Sequence, residues 1–213
     1  MIIASGATDR IFPIPGWTLP GVFSLGGAQI ALKDQGALIG RRIAFVGSSP
    51  LLALAAKQYY AMGAVIAGVF DNTPFSAKLR ALPQLMEAPH IVMRGVGYLA
   101  QLRLAGIPLH FGVKPVRIHG EAGVERLVVE DRSGREMIIA CDAIALGYGL
   151  KPETQMAGDG AAIGGADAAE ASGILAALAL LTDKGHSVSQ ADLAWLRHCL
   201  LYTSDAADEG LGV

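Results

Sequence analysis

The stretch Arg41–Asp71, RRIAFVGSSPLLALAAKQYYAMGAVIAGVFD, constrains the fold more than any other part of the chain. Ile43–Val46 is a short run of β-branched and aromatic residues, which suits a buried strand. Gly47-Ser48-Ser49-Pro50 breaks the run with turn residues. Pro50 suits the first turn of a helix, where no backbone hydrogen bond is lost. Leu51–Met62 then supplies the helix, and Gly63 ends it. Val65–Phe70 is a second strand with Asp71 at its tip. A strand, a helix and another strand at this spacing make a βαβ unit, which calls for a parallel sheet.

The turn has the layout of a dinucleotide-binding fingerprint in which two glycines are replaced. Gly47 is the first glycine and allows the tight turn. Ser49 stands where the second lets the backbone approach a pyrophosphate. Leu52 stands where the third lets helix and strand pack closely. Pro50 completes the turn. Asp71 follows Gly47 by about 24 residues, near the roughly 20 at which an acidic residue meets a ribose hydroxyl. A lost charge-assisted hydrogen bond to a phosphate costs about 1.5–3 kcal/mol. That weakens binding roughly ten- to hundredfold. Two readings of Gly47–Pro50 and Asp71 stay open: a nucleotide site, or a βαβ unit kept for packing.

Composition narrows the class. The chain has 213 residues, is 52% hydrophobic and carries a net charge of −2. Ala, Gly, Leu and Ile carry the hydrophobicity, as in a buried parallel sheet with tightly packed helices. No run reaches the ~18 apolar residues of a membrane helix, and the start has no basic region of a signal peptide. No Lys/Arg cluster suggests a nucleic-acid surface. Cys141 and Cys199 give neither a CxxC nor a metal-ligand spacing. The expectation is a cytoplasmic protein with no bound metal, no nucleic-acid partner and no membrane span.

The remaining elements follow in order. Met1–Ala4 reads as strand and Ser5-Gly6-Ala7 as a turn. Ile11–Gly21, with three prolines, is an extended connector. Leu25–Gln35 reads as a short helix. Phe75–Met86 and Gly97–Leu104 read as helices, with Pro83, Pro89 and Gly95 as breaks, and Ile107–Phe111 as a strand. Then the period changes to two. Val116 and Ile118, Leu127 and Val129, and Ile139 and Cys141 alternate with polar residues, predicting a three-strand antiparallel meander. Asp142–Leu146 is a further strand, Gly147–Gly149 is a loop, and Lys151-Pro152-Glu153 exits it. Met156–Gly165 is glycine-rich, and Ala166–Lys184 and Ser189–Arg197 are helices. His110 is the histidine placed to reach a pocket, whereas Cys141 reads as core filling.

Four ordered motifs carry a family resemblance. They are Ile3–Arg10 with Pro15–Val22, then Val46–Leu52, then Cys141–Pro152, and last Ala157–Gly160 with Ile163–Ala166. Together they resemble the two-dinucleotide-domain flavoproteins of the pyridine nucleotide-disulfide-oxidoreductase type. The branch resembled holds opine oxidase and dye-linked amino-acid dehydrogenase FAD subunits and the hydrogen cyanide synthase subunit. The resemblance covers residues 1 to about 185. It implies an α/β fold: a Rossmann-like parallel sheet with an antiparallel β-meander, formed by an inserted nucleotide-binding domain and the remnant of a truncated FAD-binding domain. The implied divisions are 1–35 and 143–198 for the FAD-binding remnant and 36–142 for the inserted NAD(P)-type domain. Residues 199–213 read as a non-native tail.

The resemblance also implies roles. Ser5, Gly6 and Ala7 would lie against FAD. Gly158 and Asp159 would meet it from the other side, with Asp159 on the ribityl hydroxyls. Gly164 and Gly165 would direct helix-start amides at negative charge. Gly47, Ser49, Pro50 and Asp71 would form a second site, for NAD(P) or for ADP or ATP. The implied activity is an FAD-dependent oxidoreductase that passes hydride from the C–N bond of an amine or amino-acid-derived substrate to flavin, as one component of a hetero-oligomeric dehydrogenase. The alternatives are an adenine-nucleotide-binding regulatory domain and an NAD(P)H-dependent flavoprotein reductase. The family's own opening strand and GxGxxG do not precede Ile3, so the sequence reads as a fragment that holds flavin weakly and lacks visible flavin absorbance when purified.

Overall fold

A computed structural model describes residues 7–80 and 89–152, with residues 174, 178 and 189. Contacts group Asp9–Gly149 into one compact unit and Met1–Thr8 with Leu150–Val213 into another. Strand β1 (Ala7–Asp9) is followed by β2 (Val22–Ser24) and helix α1 (Leu25–Lys33). The central run is β3 (Arg42–Gly47), α2 (Leu51–Ala61) and β4 (Val65–Asp71), as the sequence predicts. Helices α3 (Phe75–Arg80) and α4 (Pro89–Leu104) lead to β5 (Leu109–Phe111). The meander is β6 (Lys114–His119), β7 (Arg126–Glu130) and β8 (Glu136–Ala140). Strands β9 (Ala143–Gly147) and β10 (Leu150–Pro152) close the described part.

Strands β2, β9, β3, β4 and β5 lie in that order in one sheet, and every pairing in it is parallel. The meander strands pair antiparallel in a second sheet, β6-β7-β8. The fold is therefore mixed α/β with a Rossmann-like parallel sheet.

The interiors of the central strands, residues 43–46, 66–70 and 143–146, are apolar because both their faces are covered. Ile43 and Phe45 of β3, with Ala143 and Ala145 of β9, pack against Leu25, Ala28 and Leu32 of α1 and Leu52, Ala56 and Tyr59 of α2. Ala44 and Val46, with Ile144 and Leu146, pack the other way, against Ile118, Leu127 and Val129 of the meander. Period-two alternation thus sorts one apolar run into two cores.

Polar groups fix the joints. Ser24 caps α1: its Oγ accepts from the Gly27 amide at 3.1 Å. Asp9 adds a second acceptor, its Oδ2 taking the Gly26 amide at 2.9 Å. Both satisfy donors that a helix start leaves open. Asp142, between the meander and β9, accepts from the amides of Arg41 and Arg42 and so holds the start of β3. The buried Tyr59 hydroxyl donates to the Ala28 carbonyl at 2.7 Å, tying α2 to α1. Tyr59→Phe would remove that tie between the two helices. The expected loss is about 1–2 kcal/mol of stability, read from the urea midpoint.

Several local readings are corrected. Ala7 belongs to strand β1 and is not part of a turn. Gly95 does not break a helix: α4 begins at Pro89 and runs through Gly95 to Leu104. Proline at a helix start forfeits no bond, and one interior glycine costs only about 1 kcal/mol. Leu150–Pro152, where the sequence offers only the exit from a loop, is a strand paired with β1. Of the expected helix Phe75–Met86, the part to Arg80 is helical and 81–88 lies outside the described residues. Ile174 and Leu178 are helical, within the span expected for Ala166–Lys184. Residues 199–213 lie outside the described residues.

Candidate nucleotide crevice and cleft

The carboxyl ends of β3, β4 and β9 meet at one place. Gly47 is in register with Gly147 on one side and with Asp71 on the other. The chain reverses direction across the sheet here, β4 lying to one side of β3 and β9 to the other. Open α/β sheets bind ligands at such a switch point.

Gly47, Ser49 and Pro50 sit in one turn, and Asp71 stands beside it on the neighbouring strand. The turn faces inward, however. The amides of Ser48 and Ser49 both donate to the Gly147 carbonyl, at 2.9 and 3.1 Å. Pro50 has no amide hydrogen to offer. Ser49 is buried, and its Oγ accepts from the Leu51 amide at 3.2 Å. The Leu52 amide donates to the Ser49 carbonyl at 3.1 Å. As folded, the turn presents no amide from Ser48 through Pro50 to a diphosphate, so it does not fit the amide cradle of a pyridine-nucleotide site.

Leu52 explains why the helix still packs closely without the third glycine. It is 2% exposed, and its Cδ2 lies 3.0 Å from where a Cβ on Gly147 would stand. The missing side chain is on β9 rather than on α2, and it makes the same space.

Asp71 is bonded locally. Its Oδ1 accepts from the Thr73 amide at 2.8 Å. Its carbonyl accepts from the amides of Gly112 and Val113, at 2.6 and 3.3 Å. Asn72 follows, its amide donating to the Gly47 carbonyl at 2.9 Å. The Asn72 Oδ1 is buried with no partner among the described residues.

Ala7 is exposed on β1. The other flavin-side candidates, Ser5, Gly6, Gly158, Asp159, Gly164 and Gly165, lie outside the described residues.

Buried titratable groups here are inert. Burial pushes the Cys141 thiol up to about 11, which suppresses the reactive thiolate and suits core filling. Burial likewise pushes Tyr148 up to about 12. Its ring packs on Phe12 at 5.3 Å between centroids.

His110 lies at a cleft, and its ring stacks flat on Phe70, 5.1 Å between centroids and 3° between planes. Burial lowers its pKa, so the ring is neutral at neutral pH. The cleft extends to the β7–β8 turn, which sequence reasoning did not connect to it. Asp131 organises that turn. Its Oδ1 accepts from the Ser133 hydroxyl at 2.5 Å, the Ser133 amide at 2.8 Å and the Arg135 amide at 3.0 Å. Its Oδ2 pairs with Arg135 at 3.2 Å. These bonds, the Ser133 hydroxyl first, pull the carboxyl down to about 2 from its usual 3.8. A lowered carboxyl stabilises the turn above the unfolded value and loses that contribution as pH falls through the folded value. Ser133 and Arg135 amide protection should therefore hold above about pH 4 and fade toward pH 2. Hydrogen exchange would read this fading, and Asp131→Asn should abolish it.

Among the described residues, no three His, Cys, Asp or Glu side chains form a metal-binding group. No described helix is long and apolar enough to cross a membrane.

The sheet order and the strand–turn–helix run through β3 and α2 define a Rossmann-like α/β protein. The family described as pyridine nucleotide-disulphide oxidoreductase matches residues 1–174, and the chain belongs to that family. It is 34% identical over 220 residues to the opine oxidase A-subunit of Agrobacterium tumefaciens, covering 86% of this chain and 43% of that protein. It is 34% identical over 163 residues to the HcnB component of hydrogen cyanide synthase from Pseudomonas aeruginosa, covering 73% of this chain and 35% of that one. The chain spans half or less of the length of the curated relatives it matches. L-proline dehydrogenase from P. horikoshii shares the fold, with TM-score 0.55 and 18% identity over 93% of this chain and 37% of that one. Histamine dehydrogenase from Rhizobium sp. 4-9 does so with TM-score 0.53 and 12% identity, covering 72% and 23%.

Proposed function

We propose that this chain is part of the flavin subunit of an amino-acid or opine-type dehydrogenase. The observation that carries the reading is the family match over residues 1–174, joined to 34% identity with one component of an opine oxidase. Bound FAD would supply the redox chemistry by accepting a hydride from a substrate C–N bond. The chain's own residues would position it. Ser5, Gly6 and Ala7 would line one side, Gly158 and Asp159 the other, with the Asp159 carboxylate accepting from ribityl hydroxyls. The amides at Gly164 and Gly165 would face negative charge. On this reading the segments 1–35 and 143–198 belong to a flavin domain, and 36–142 is the inserted one. A partner subunit completes the cytoplasmic enzyme, as the names of the relatives suggest.

FAD titration of the 213-residue chain, followed by quenching of flavin fluorescence, tests the reading. Binding is expected in the range of tens to hundreds of micromolar, with Asp159→Asn weakening it about tenfold. No binding, or an Asp159→Asn variant that binds equally, would overturn it.

The inward amides of Ser48 and Ser49 support the packing reading of the second site over a regulatory adenine-nucleotide site or an NAD(P)H site. ADP, ATP and NADH at about 1 mM are expected to leave the melting temperature unchanged, since only a ligand of the native state raises it. A rise of several degrees would restore the nucleotide reading and make Asp71 its ribose contact.

A further inference from the structure

Between the end of β5, the helix α4 and the β7–β8 turn lies a cleft of about 870 Å³. That volume falls in the range of small-molecule pockets, roughly 300–1,000 Å³. Leu99, Phe111, Val113 and Met137 give it an apolar lining, and His110, Asp131, Arg132, Ser133 and Arg135 supply polar groups. None of Gly47, Ser49, Pro50 and Asp71 lines it.

The position of Arg132 is built. Gly112 has φ +67°, and a Cβ there would stand 2.6 Å from Arg132 Nε and 2.8 Å from Nη2. The bare glycine makes the room in which the guanidinium lies. Gly112 is itself held, its amide donating to the Asp71 carbonyl. The acid beside Arg132 in sequence is already engaged. Asp131 accepts from Ser133 and Arg135 and pairs with the Arg135 guanidinium. Arg132 itself has no ion pair or hydrogen bond with a described residue. A solvent-exposed positive group with five donors therefore borders a mostly apolar cleft whose one carboxylate, Asp131, is already engaged.

The neutral His110 ring, stacked on Phe70, adds a flat wall that does not compete for an anion. An apolar body with one acidic group matches the apolar residues and Arg132, while Asp131, Ser133 and Arg135 are already bonded to one another. Burying the body removes apolar surface from water, and the acid gives Arg132 the partner it lacks.

We propose that this cleft binds a small aromatic organic anion, its ring on Leu99, Phe111, Val113 and Met137 and its carboxylate or sulfonate on Arg132. The site goes beyond the flavin reading and stands without it.

Two fluorescent probes of nearly one shape test the proposal in the full chain: anilinonaphthalene sulfonate and the uncharged phenylnaphthylamine. The sulfonate is expected to bind saturably at one site, about tenfold tighter than the amine. Arg132→Gln should cost the sulfonate about tenfold and leave the amine unchanged. Met137→Trp, which fills the cleft, should weaken both more than tenfold. Leu99→Trp fills it from the helix side and gives the same reading should the strand variant fold poorly by circular dichroism. Equal sulfonate binding by wild type and Arg132→Gln would overturn the proposal. So would probe binding that does not saturate, or that survives both tryptophan variants.

Discussion

Replacing Gly47 by alanine is expected to destabilise the Asp9–Gly149 unit by about 2–6 kcal/mol. Gly47 has φ +149°, a region that side-chain-bearing residues rarely enter. Forcing alanine there costs about 1–3 kcal/mol in backbone strain. The added Cβ would also meet the carbonyl oxygen of Gly147. That carbonyl cannot retreat, because it receives the amides of Ser48 and Ser49 and belongs to a strand paired with β3. Crowding of this kind costs about 1–3 kcal/mol more. A domain of ordinary stability has about 5–15 kcal/mol in all, so the variant should unfold at markedly lower urea. A midpoint equal to wild type would mean that the β3–β9 pairing is not what closes the turn.

Much of this arrangement is readable in the sequence, and the part that is not has a physical reason. Ile43–Val46 and Val65–Phe70 announce buried strands because both faces of the sheet are covered, leaving no polar alternation to confuse the period. The meander announces itself for the opposite reason: β8 is exposed at alternate positions, as at Ile138 beside the half-buried Met137. Gly95 misleads because its local preference is weak beside the packing of α4 on α2 through residues such as Tyr98, whose ring sits 4.9 Å from Lys57 Nζ. The strand at Leu150–Pro152 is invisible because three residues hold strand geometry only when a partner is present. Within the crevice, the sequence locates the turn but not the direction of its amides. That direction is set by Gly147, a residue far along the chain that no spacing rule joins to this turn. The cleft is less readable still. Gly112 and Arg132 acquire meaning only against each other, and no spacing rule joins them.

Leu52→Gly would restore the third glycine of the fingerprint, yet it is expected to cost about 3–5 kcal/mol. In a dinucleotide-binding turn that glycine exists so that helix and strand can approach. Here the approach is already made, with the side chain on α2 and the gap on β9. Leu52 is buried among Leu25, Ala28 and the strands below them, and its side chain fills the space that the absent Gly147 side chain leaves. Truncating a leucine so placed costs about 2–5 kcal/mol for lost transfer and the cavity left behind. Glycine adds up to about 1 kcal/mol for its freedom in the unfolded chain, less in a first turn than mid-helix. The same variant should gain no affinity for ADP or NADH, because the Ser48 and Ser49 amides remain on the Gly147 carbonyl. Urea unfolding and nucleotide titration of one protein therefore separate the two histories of this turn. Lost stability without gained binding means that Leu52 and Gly147 have exchanged roles and locked the turn shut. Unchanged stability with new binding means that the fingerprint lacked only its glycine.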